Sequence, residues 1–305
     1  MMPTRRGLSR VVASIKDVVV FAIGVAAALA ASVLFNVGIV LQALDARAAP
    51  RSLGLRFSLL WRLVHHPRWV IGALLGLVGI GPQVLAYTDA PFVVVQPALA
   101  AGLLLLLVFG ERILNEPIGV AELVGMPAII GGIALVAWGA PNHTEAHRGA
   151  VAVVSVVAGL SLVGLLPFLV RGTRLDSAML TVVASGCGFG ATNVATKLLG
   201  DDYPAHALSA AAWAVVVVVM GTTATLVGMT AFQRRAATTV VPVSTSVQTF
   251  LPIVLEPLFL RERWGSANLG GAPIAAGLAL ALIGCALIAR SRAVSGLVAS
   301  AAGDS

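Results

Sequence analysis

The sequence predicts an all-α integral membrane protein. Of its 305 residues, 58% are hydrophobic and only 11% are charged, whereas a soluble domain carries about 25% charged residues. Apolar stretches close to 20 residues in length recur along the chain, and each could cross a hydrocarbon core about 30 Å thick. Because helices are how an open chain satisfies its backbone in lipid, we expect a polytopic helical bundle.

Charges, prolines and glycines divide the chain into nine predicted spans. The stretch 44–68 is interrupted by arginines that would each cost about 2.5–3.5 kcal/mol inside the membrane. We therefore expect an interfacial amphipathic helix there, with Leu59, Trp61 and Leu63 near the lipid headgroups, and keep a tenth span at 52–66 as the alternative. The nine spans lie near residues 18–43, 69–87, 91–113, 118–139, 150–170, 176–199, 205–230, 237–260 and 267–289.

Basic residues predict how the chain is oriented. The net charge of +7 comes from Lys and Arg in short connections that cluster on no single face, so we expect no nucleic-acid partner. The nine-span and ten-span topologies place the amino terminus on opposite sides of the membrane. Both place the carboxyl terminus on the basic, cytoplasmic side. The first span is longer than a signal-peptide core, which indicates an uncleaved helix. The excess of Arg over Lys suggests a high-GC bacterium and its inner (plasma) membrane.

The chain also resembles itself at a shift of about 145 residues. Equivalent spans are five apart, so the second copy would enter the membrane upside down, as in transporters that alternate access around a central site. The matched pairs are Pro97 and Pro242, Glu111 and Glu256, Glu116 and Glu262, and Gly125 and Gly271. The predicted organisation is a basic tail at 1–17, a first repeat at 18–140, a linking span at 141–175, a second repeat at 176–290, and a flexible tail at 291–305.

A family resemblance is carried by residues 86–141, which begin AYTDAPFVVVQP and end WGAP. The pattern is a proline in mid-span, a glutamate after an apolar run, and a glycine-rich span. It resembles the drug/metabolite transporter superfamily of the EamA-like type and, within it, the NIPA-type magnesium transporters, which share the AYxxAPxxxVxP phrase and the nine-span count. The resemblance implies a transporter.

The second half carries a polar stripe inside an apolar helix. At 100° per residue, Thr245, Gln248, Thr249, Pro252 and Glu256 fall on one face about 100° wide. The equivalent face of the first copy is apolar up to its glutamate. Our hypothesis is that the final glutamate of the stripe ends a polar substrate path and carries the coupling proton; the alternative is a hydrogen-bonded seam between helices.

Further polar residues could line the same path. Two residues share a face of the first span and three form a stripe on the span 176–199, although glycine-rich packing would also explain these faces. Three prolines could kink helices or form a gate. The additional path candidates are Ser32, Asn36, Gln96, Ser185, Thr192 and Thr196, and the candidate kinks are Pro97, Pro242 and Pro252.

Two glutamates, Glu116 and Glu262, follow apolar runs. We interpret them as solvated loop residues at helix ends, with pairing to a neighbouring arginine as the alternative. The chain contains no Walker A phrase, zinc-ligand set, nucleophile elbow or dinucleotide fingerprint, so we predict no enzyme activity, no cofactor and no bound metal.

The function that these observations favour is a proton-coupled secondary transporter for a small organic solute, working by alternating access. The alternatives are a NIPA-like magnesium or divalent-cation permease and a membrane scaffold that transports nothing. The expected partners are the lipid bilayer and a small-molecule or ion substrate, and a homodimer is left open.

Overall fold

The computed structural model describes residues 5–90, 92–116, 118–139, 150–202, 206–259 and 268–290. Within these ranges the chain is helical, with no strand. Two short 3-10 turns lie at Arg51–Leu53 and Asn268–Gly271. The α-helices are α1 Arg5–Ala48, α2 Phe57–Leu63, α3 Pro67–Asp89, α4 Phe92–Ala100, α5 Gly102–Arg112, α6 Val120–Gly139, α7 Ala150–Leu169, α8 Ala178–Asp202, α9 Ala207–Arg234, α10 Ala237–Phe259 and α11 Ala272–Ala289.

Six of the described helices are long and apolar enough to cross a membrane, and α7 contributes a shorter apolar segment. Large apolar side chains also point outward, for example Leu208, which is 89% exposed, and Val151, which is 82% exposed. The prediction of a multi-pass helical membrane protein is confirmed at this level, while the exact number of spans stays a prediction. The six segments are Val18–Ala48, Pro67–Ala86, Val120–Gly139, Ala178–Thr196, Ala207–Arg234 and Asn268–Ala289.

Helix α2 corrects two expectations about the stretch after α1. Its seven residues extend about 10 Å, which is too short for a span, so the structure contradicts the tenth span at 52–66. Leu59 and Leu63 are 0% and 1% exposed and belong to the main core, so placing them near headgroups was wrong. Residues four apart share one helix face, and this face packs inward. Trp61 lies on the other face and is 72% exposed.

Small residues bring neighbouring helices into close contact. A methyl group on Gly38 of α1 would lie 2.5 Å from the Gly72 carbonyl oxygen of α3. One on Gly132 of α6 would lie 2.6 Å from the Gly277 carbonyl oxygen of α11. Because lipid supplies no hydrophobic drive between helices, close backbone packing of this kind is a main source of their association. The pairs α1–α3, α6–α11 and α8–α9 are the most extensive in the bundle.

The predicted span 91–113 is interrupted at Ala101, which itself keeps helical dihedral angles, with φ −58° and ψ −22°. Helix α4 ends at Ala100, α5 begins at Gly102, and the Leu104 N–H donates to the Ala101 carbonyl three residues back. The cause is a contact from another helix, because the Ser32 hydroxyl of α1 donates to the Leu99 carbonyl at 2.6 Å. That carbonyl lies two residues before Ala101, and a continuous helix would use it for the Leu103 N–H.

One end of the bundle collects the basic connections, and we call it the arginine end. The last turns of α1, α5 and α9 and the first turns of α8 and α10 meet there, joined by contacts of Arg47, Glu116 and Arg234 that are described below. Ile288, near the end of α11, packs beside Gly125, near the start of α6. The described residues that place basic side chains at this end are Arg47, Arg51, Arg56, Arg62, Arg68, Arg112, Arg171, Arg174, Arg234, Arg235 and Arg290.

Candidate functional site

A buried carboxylate joins the two halves of the chain at the arginine end. Glu116 is 4% exposed. Its Oε1 accepts from the Ala237 N–H at 2.6 Å, and its Oε2 accepts from the Thr238 N–H at 2.9 Å. The Arg47 guanidinium of α1 pairs with the same carboxylate. Free N–H groups and the helix dipole both favour an anion at a helix start, so Glu116 caps α10 from another part of the chain. We call these four residues the Glu116 network.

A tight turn positions this carboxylate. Asn115 has a left-handed backbone with φ 52°, which asparagine tolerates better than most residues. The turn folds the chain back, and the Glu116 N–H donates to the Gly110 carbonyl at 2.8 Å. Gly110 leaves room for α10, because a methyl group there would lie 2.6 Å from Cγ2 of Thr238.

The interpretation of Glu116 as a solvated loop residue was therefore wrong, and its arginine partner is Arg47 rather than a sequence neighbour. The sequence at the start of α10 did contain a signal that this helix is capped by a distant residue. The residue before the helix is Ala236, which offers no side-chain acceptor, whereas Ser, Thr, Asp or Asn usually stands there. An uncapped helix start in an apolar chain indicates an acceptor supplied from elsewhere. Glu262, the repeat partner of Glu116, lies outside the described residues.

Other polar contacts at the arginine end involve residues that sequence reasoning missed. The Gln233 amide of α9 donates to the Ala49 carbonyl at 3.2 Å, and the Leu55 N–H donates to the Thr230 hydroxyl at 3.0 Å. Both bonds fasten the connection after α1 to α9. Asp45, which is 4% exposed, pairs with Arg68 at 3.5 Å.

A further ion pair ties the loop before α8 to the end of α9. Arg234 donates to the Asp176 carboxylate at 2.5 Å and to the Thr181 hydroxyl at 3.2 Å. The Asp176 carboxylate also accepts from the Gly172 N–H. These hydrogen bonds hold the pKa of Asp176 below its ordinary value. The bond from the Arg234 guanidinium has the larger effect, and the bond from the Gly172 N–H adds to it.

Two of the predicted path residues meet at the break between α4 and α5. Ser32 and Asn36 are 2% and 7% exposed. Besides the Ser32 bond to Leu99, the Asn36 amide nitrogen donates to the Ser32 carbonyl at 2.8 Å. The Asn36 Oδ1 oxygen has no hydrogen-bond partner within the described part of the chain. A methyl group on Gly102 would lie 2.1 Å from the amide nitrogen and 2.2 Å from the hydroxyl oxygen, so the start of α5 packs directly on this pair.

The polar stripe on α10 is visible in part. Thr245, Gln248 and Thr249 are half-buried, beside a face that packs on α8, where a methyl group on Gly186 would lie 2.7 Å from the Ser244 carbonyl oxygen. The backbone of α10 continues through Pro252 and Glu256, but their side chains, like that of Gln96, lie outside the described residues. The role of Glu256 stays a prediction.

The predicted stripe on α8 faces other helices or its own backbone. The Ser185 hydroxyl donates to the Ala224 carbonyl of α9 at 3.4 Å. Thr192 donates to the Gly188 carbonyl at 2.9 Å and Thr196 to the Thr192 carbonyl at 2.8 Å. Ser185 therefore contributes to the contact between α8 and α9, while the assignment of Thr192 and Thr196 to a path stays a prediction.

The repeat-matched residues have unequal surroundings. Glu111 is exposed at the end of α5. Gly125 packs against α11 inside α6, whereas Gly271 has a left-handed φ of 84° immediately before α11. Pro97 precedes the break after α4, while α10 runs without interruption through Pro242. The two copies therefore differ in the detail of their central helices.

Carboxylates, imidazoles and thiols do not gather into a metal centre within the described ranges. No group of three or more His, Cys, Asp and Glu residues there could hold a metal ion.

Comparison with known proteins gives one partial match. Over 117 residues, which are 38% of the chain, the sequence is 32% identical to a probable magnesium transporter, NIPA9, of Arabidopsis thaliana. The match covers 33% of that protein, so the chain spans about a third of its relative's length. No family model matches the chain, and no solved structure matches it. The similarity and the candidate spans together indicate a membrane transporter, and they support the NIPA-type part of the resemblance; the EamA-like assignment stays a prediction.

Proposed function

We propose that this protein is a secondary transporter that works by alternating access between two inverted halves. The observation that carries the proposal is the way equivalent helices pair. Under the repeat, α1 and α3 correspond to α8 and α9, and each of these pairs forms an extensive contact. Helix α6 packs along its equivalent α11, and α5 meets its equivalent α10. Contacts between equivalent helices are expected at the pseudo-twofold axis of an inverted repeat.

The orientation follows from the arginine end. Nine alternating crossings would place the basic connections and the carboxyl terminus at this end, and the amino terminus at the other. Cytoplasmic connections carry the excess of Lys and Arg. We therefore assign the arginine end to the cytoplasm.

The arrangement corresponds to a conformation that is closed at the arginine end. The Glu116 network joins the connection after α5 to the start of α10, and Gln233 joins α9 to the end of α1. Both contacts cross from the first half to the second. Opening this end during transport would require them to break.

Magnesium is the cargo that the comparison favours, since the curated relative is a probable magnesium transporter. Mg²⁺ sheds its waters reluctantly and usually keeps several of them when bound. A path lined by neutral oxygens suits a cation that moves with part of its water shell. The second candidate cargo is a small organic solute moved with protons, which the half-buried polar stripe on α10 favours, with Glu256 as the proton carrier.

Uptake by purified protein in liposomes tests both candidates. Liposomes would contain a fluorescent Mg²⁺ indicator in one series and a panel of labelled metabolites, with and without a proton gradient, in the other. Saturable Mg²⁺ entry that empty liposomes lack supports the first candidate. Proton-dependent metabolite accumulation that Glu256→Gln abolishes and Glu111→Gln retains supports the second. If neither flux exceeds that of empty liposomes, the transport proposal fails.

A further inference from the structure

We propose that Ser32 and Asn36 of α1, beside the break between α4 and α5, form a subsite for a cation that offers hydrogen-bond donors. The class we assign is a hydrated divalent cation, whose bound waters would donate to these two side chains. The inference rests on the proposed function, because it names the part of the transport path that meets the cargo.

The hydrogen bonds of the pair use the Ser32 hydroxyl proton and one of the two Asn36 amide N–H groups. The Ser32 hydroxyl proton is used by the Leu99 carbonyl at 2.6 Å, and the Asn36 amide nitrogen donates to the Ser32 carbonyl at 2.8 Å. What remains is the Oδ1 of Asn36, which has no hydrogen-bond partner among the described residues, the lone pairs of the Ser32 hydroxyl, and the second amide N–H. Acceptor positions therefore outnumber the single remaining N–H, so the pair favours a ligand that donates hydrogen bonds, such as the water shell of a cation.

An unpaired acceptor in this position needs an explanation. Asn36 is 7% exposed and lies in the interior of the candidate span Val18–Ala48. Buried polar atoms in native proteins almost always have partners, and those that lack one often mark a functional role. Polar residues within membrane spans are likewise expensive and are commonly functional. A ligand that donates to Oδ1 would supply the missing bond.

The break beside the pair is the second observation. Ala101 keeps helical dihedral angles, but the hydrogen-bond pattern changes there, because the Leu104 N–H donates to the Ala101 carbonyl three residues back. Discontinuous helices at membrane depth line the binding sites of many transporters. Gly102 at the start of α5 is in direct contact with both side chains, and a methyl group there would lie about 2 Å from each. A separation of α1 from α5 during transport would therefore open the pair to the cargo.

The second half carries no equivalent pair. For α1 and α8 the repeat is aligned through FNVGIVLQ at 35–42 and GATNVATK at 190–197, which matches Gln42 with Lys197. The shift between these two helices is therefore 155 residues, compared with about 145 for the later helices, and the equivalents of Ser32 and Asn36 are Cys187 and Ala191. Both are buried, at 1% and 0% exposure, within an apolar cluster. The subsite therefore belongs to the first half alone, and Cys187→Ser provides a matched control that changes the equivalent position.

The test measures Mg²⁺ uptake by the full chain in liposomes, with KM and kcat determined separately. Asn36→Leu removes the acceptor at similar volume, and we expect at least a tenfold rise in KM, which corresponds to ~1.4 kcal/mol. Asn36→Asp keeps an acceptor and adds charge, so its KM should equal or fall below that of the parent. Cys187→Ser should keep the parental KM. An unchanged KM in Asn36→Leu, with Mg²⁺ uptake intact, overturns the subsite and leaves the proposed function standing.

A second measurement separates the subsite from the transport proposal. The melting temperature of the purified protein in detergent would be recorded with MgCl₂ and with choline chloride at equal ionic strength, because a ligand that binds the folded state raises stability. If the parent moves no Mg²⁺, a Mg²⁺-specific stabilisation that is lost in Asn36→Leu and retained in Asn36→Asp supports the subsite while the magnesium transport proposal fails. Stabilisation that is absent, or equal in all variants, overturns the subsite.

Discussion

Replacing Glu116 by glutamine should destabilise the folded protein by about 2–4 kcal/mol. The carboxylate accepts two backbone N–H bonds at the start of α10 and pairs with Arg47. Hydrogen bonds to a charged group contribute about 1.5–3 kcal/mol each, and loss of a helix cap costs about 0.5–2 kcal/mol. Removing one partner of a fully buried ion pair costs about 3–5 kcal/mol.

Two features reduce this figure below a simple addition of those terms. Glutamine keeps one side-chain oxygen, so one N–H bond to α10 can persist. The Arg47 side chain is 25% exposed, so its unpaired charge can partly reach water. For a protein of this size, a loss of 2–4 kcal/mol corresponds to a fall in the melting temperature of roughly 4–10 °C.

The assay is thermal unfolding of the purified protein in detergent, followed by loss of helical signal and by aggregation. Glu111→Gln is the matched control, because Glu111 is an exposed glutamate in the last turn of α5, only five residues before Glu116. Its effect should stay within about 0.5 kcal/mol, as for most surface substitutions. Equal melting temperatures for the parent and both variants would refute the reasoning that Glu116 holds the two halves together.

Three more predictions follow from the structure. Gly277→Val should prevent close packing of α6 on α11 and sharply reduce the yield of folded protein, whereas Gly159→Ala, which meets open space, should leave yield unchanged. Asp176→Asn should lower the melting temperature at neutral pH. Because Arg234 lowers the folded pKa of this carboxyl below its ordinary value of 3.8, its stabilisation is complete above that ordinary value and disappears as pH falls through the lowered one. The melting temperatures of the parent and Asp176→Asn should therefore differ by a constant amount from pH 5 to pH 8 and converge below about pH 4. Glu256→Gln should abolish proton-dependent uptake without loss of folded protein, and unaltered proton dependence would reject Glu256 as the carrier.

The sequence predicted what depends on local composition. Hydropathy alone located the apolar helices, because the requirement for about 20 apolar residues does not depend on tertiary contacts. It failed for α2, where the apolar face of Leu59 and Leu63 is buried by other helices. A short amphipathic helix has the same pattern whether it lies on lipid or on protein, so the sequence could not distinguish the two.

Features that depend on contacts between residues far apart in the sequence were also missed, because hydropathy describes only local composition. The break after Ala100 is explained by a hydroxyl 67 residues away, and the environment of Glu116 is set by Arg47 and by the start of α10, which lies 121 residues away. For the candidate site, the shared face of Ser32 and Asn36 was predicted correctly from helical spacing. Their contact with Gly102, which gives the pair its functional interest, required the structure.

Counterflow in liposomes tests alternating access most directly. Liposomes containing the purified protein would be loaded with a high concentration of the cargo identified by the uptake panel, diluted into labelled cargo, and followed for transient accumulation of label. For Mg²⁺, ²⁵Mg²⁺ would serve as the isotopic label. A carrier that exposes its site to one side at a time should accumulate label above its external concentration and show a rate that saturates with substrate. Label that merely equilibrates, at a rate proportional to its gradient, would contradict alternating access and indicate a channel.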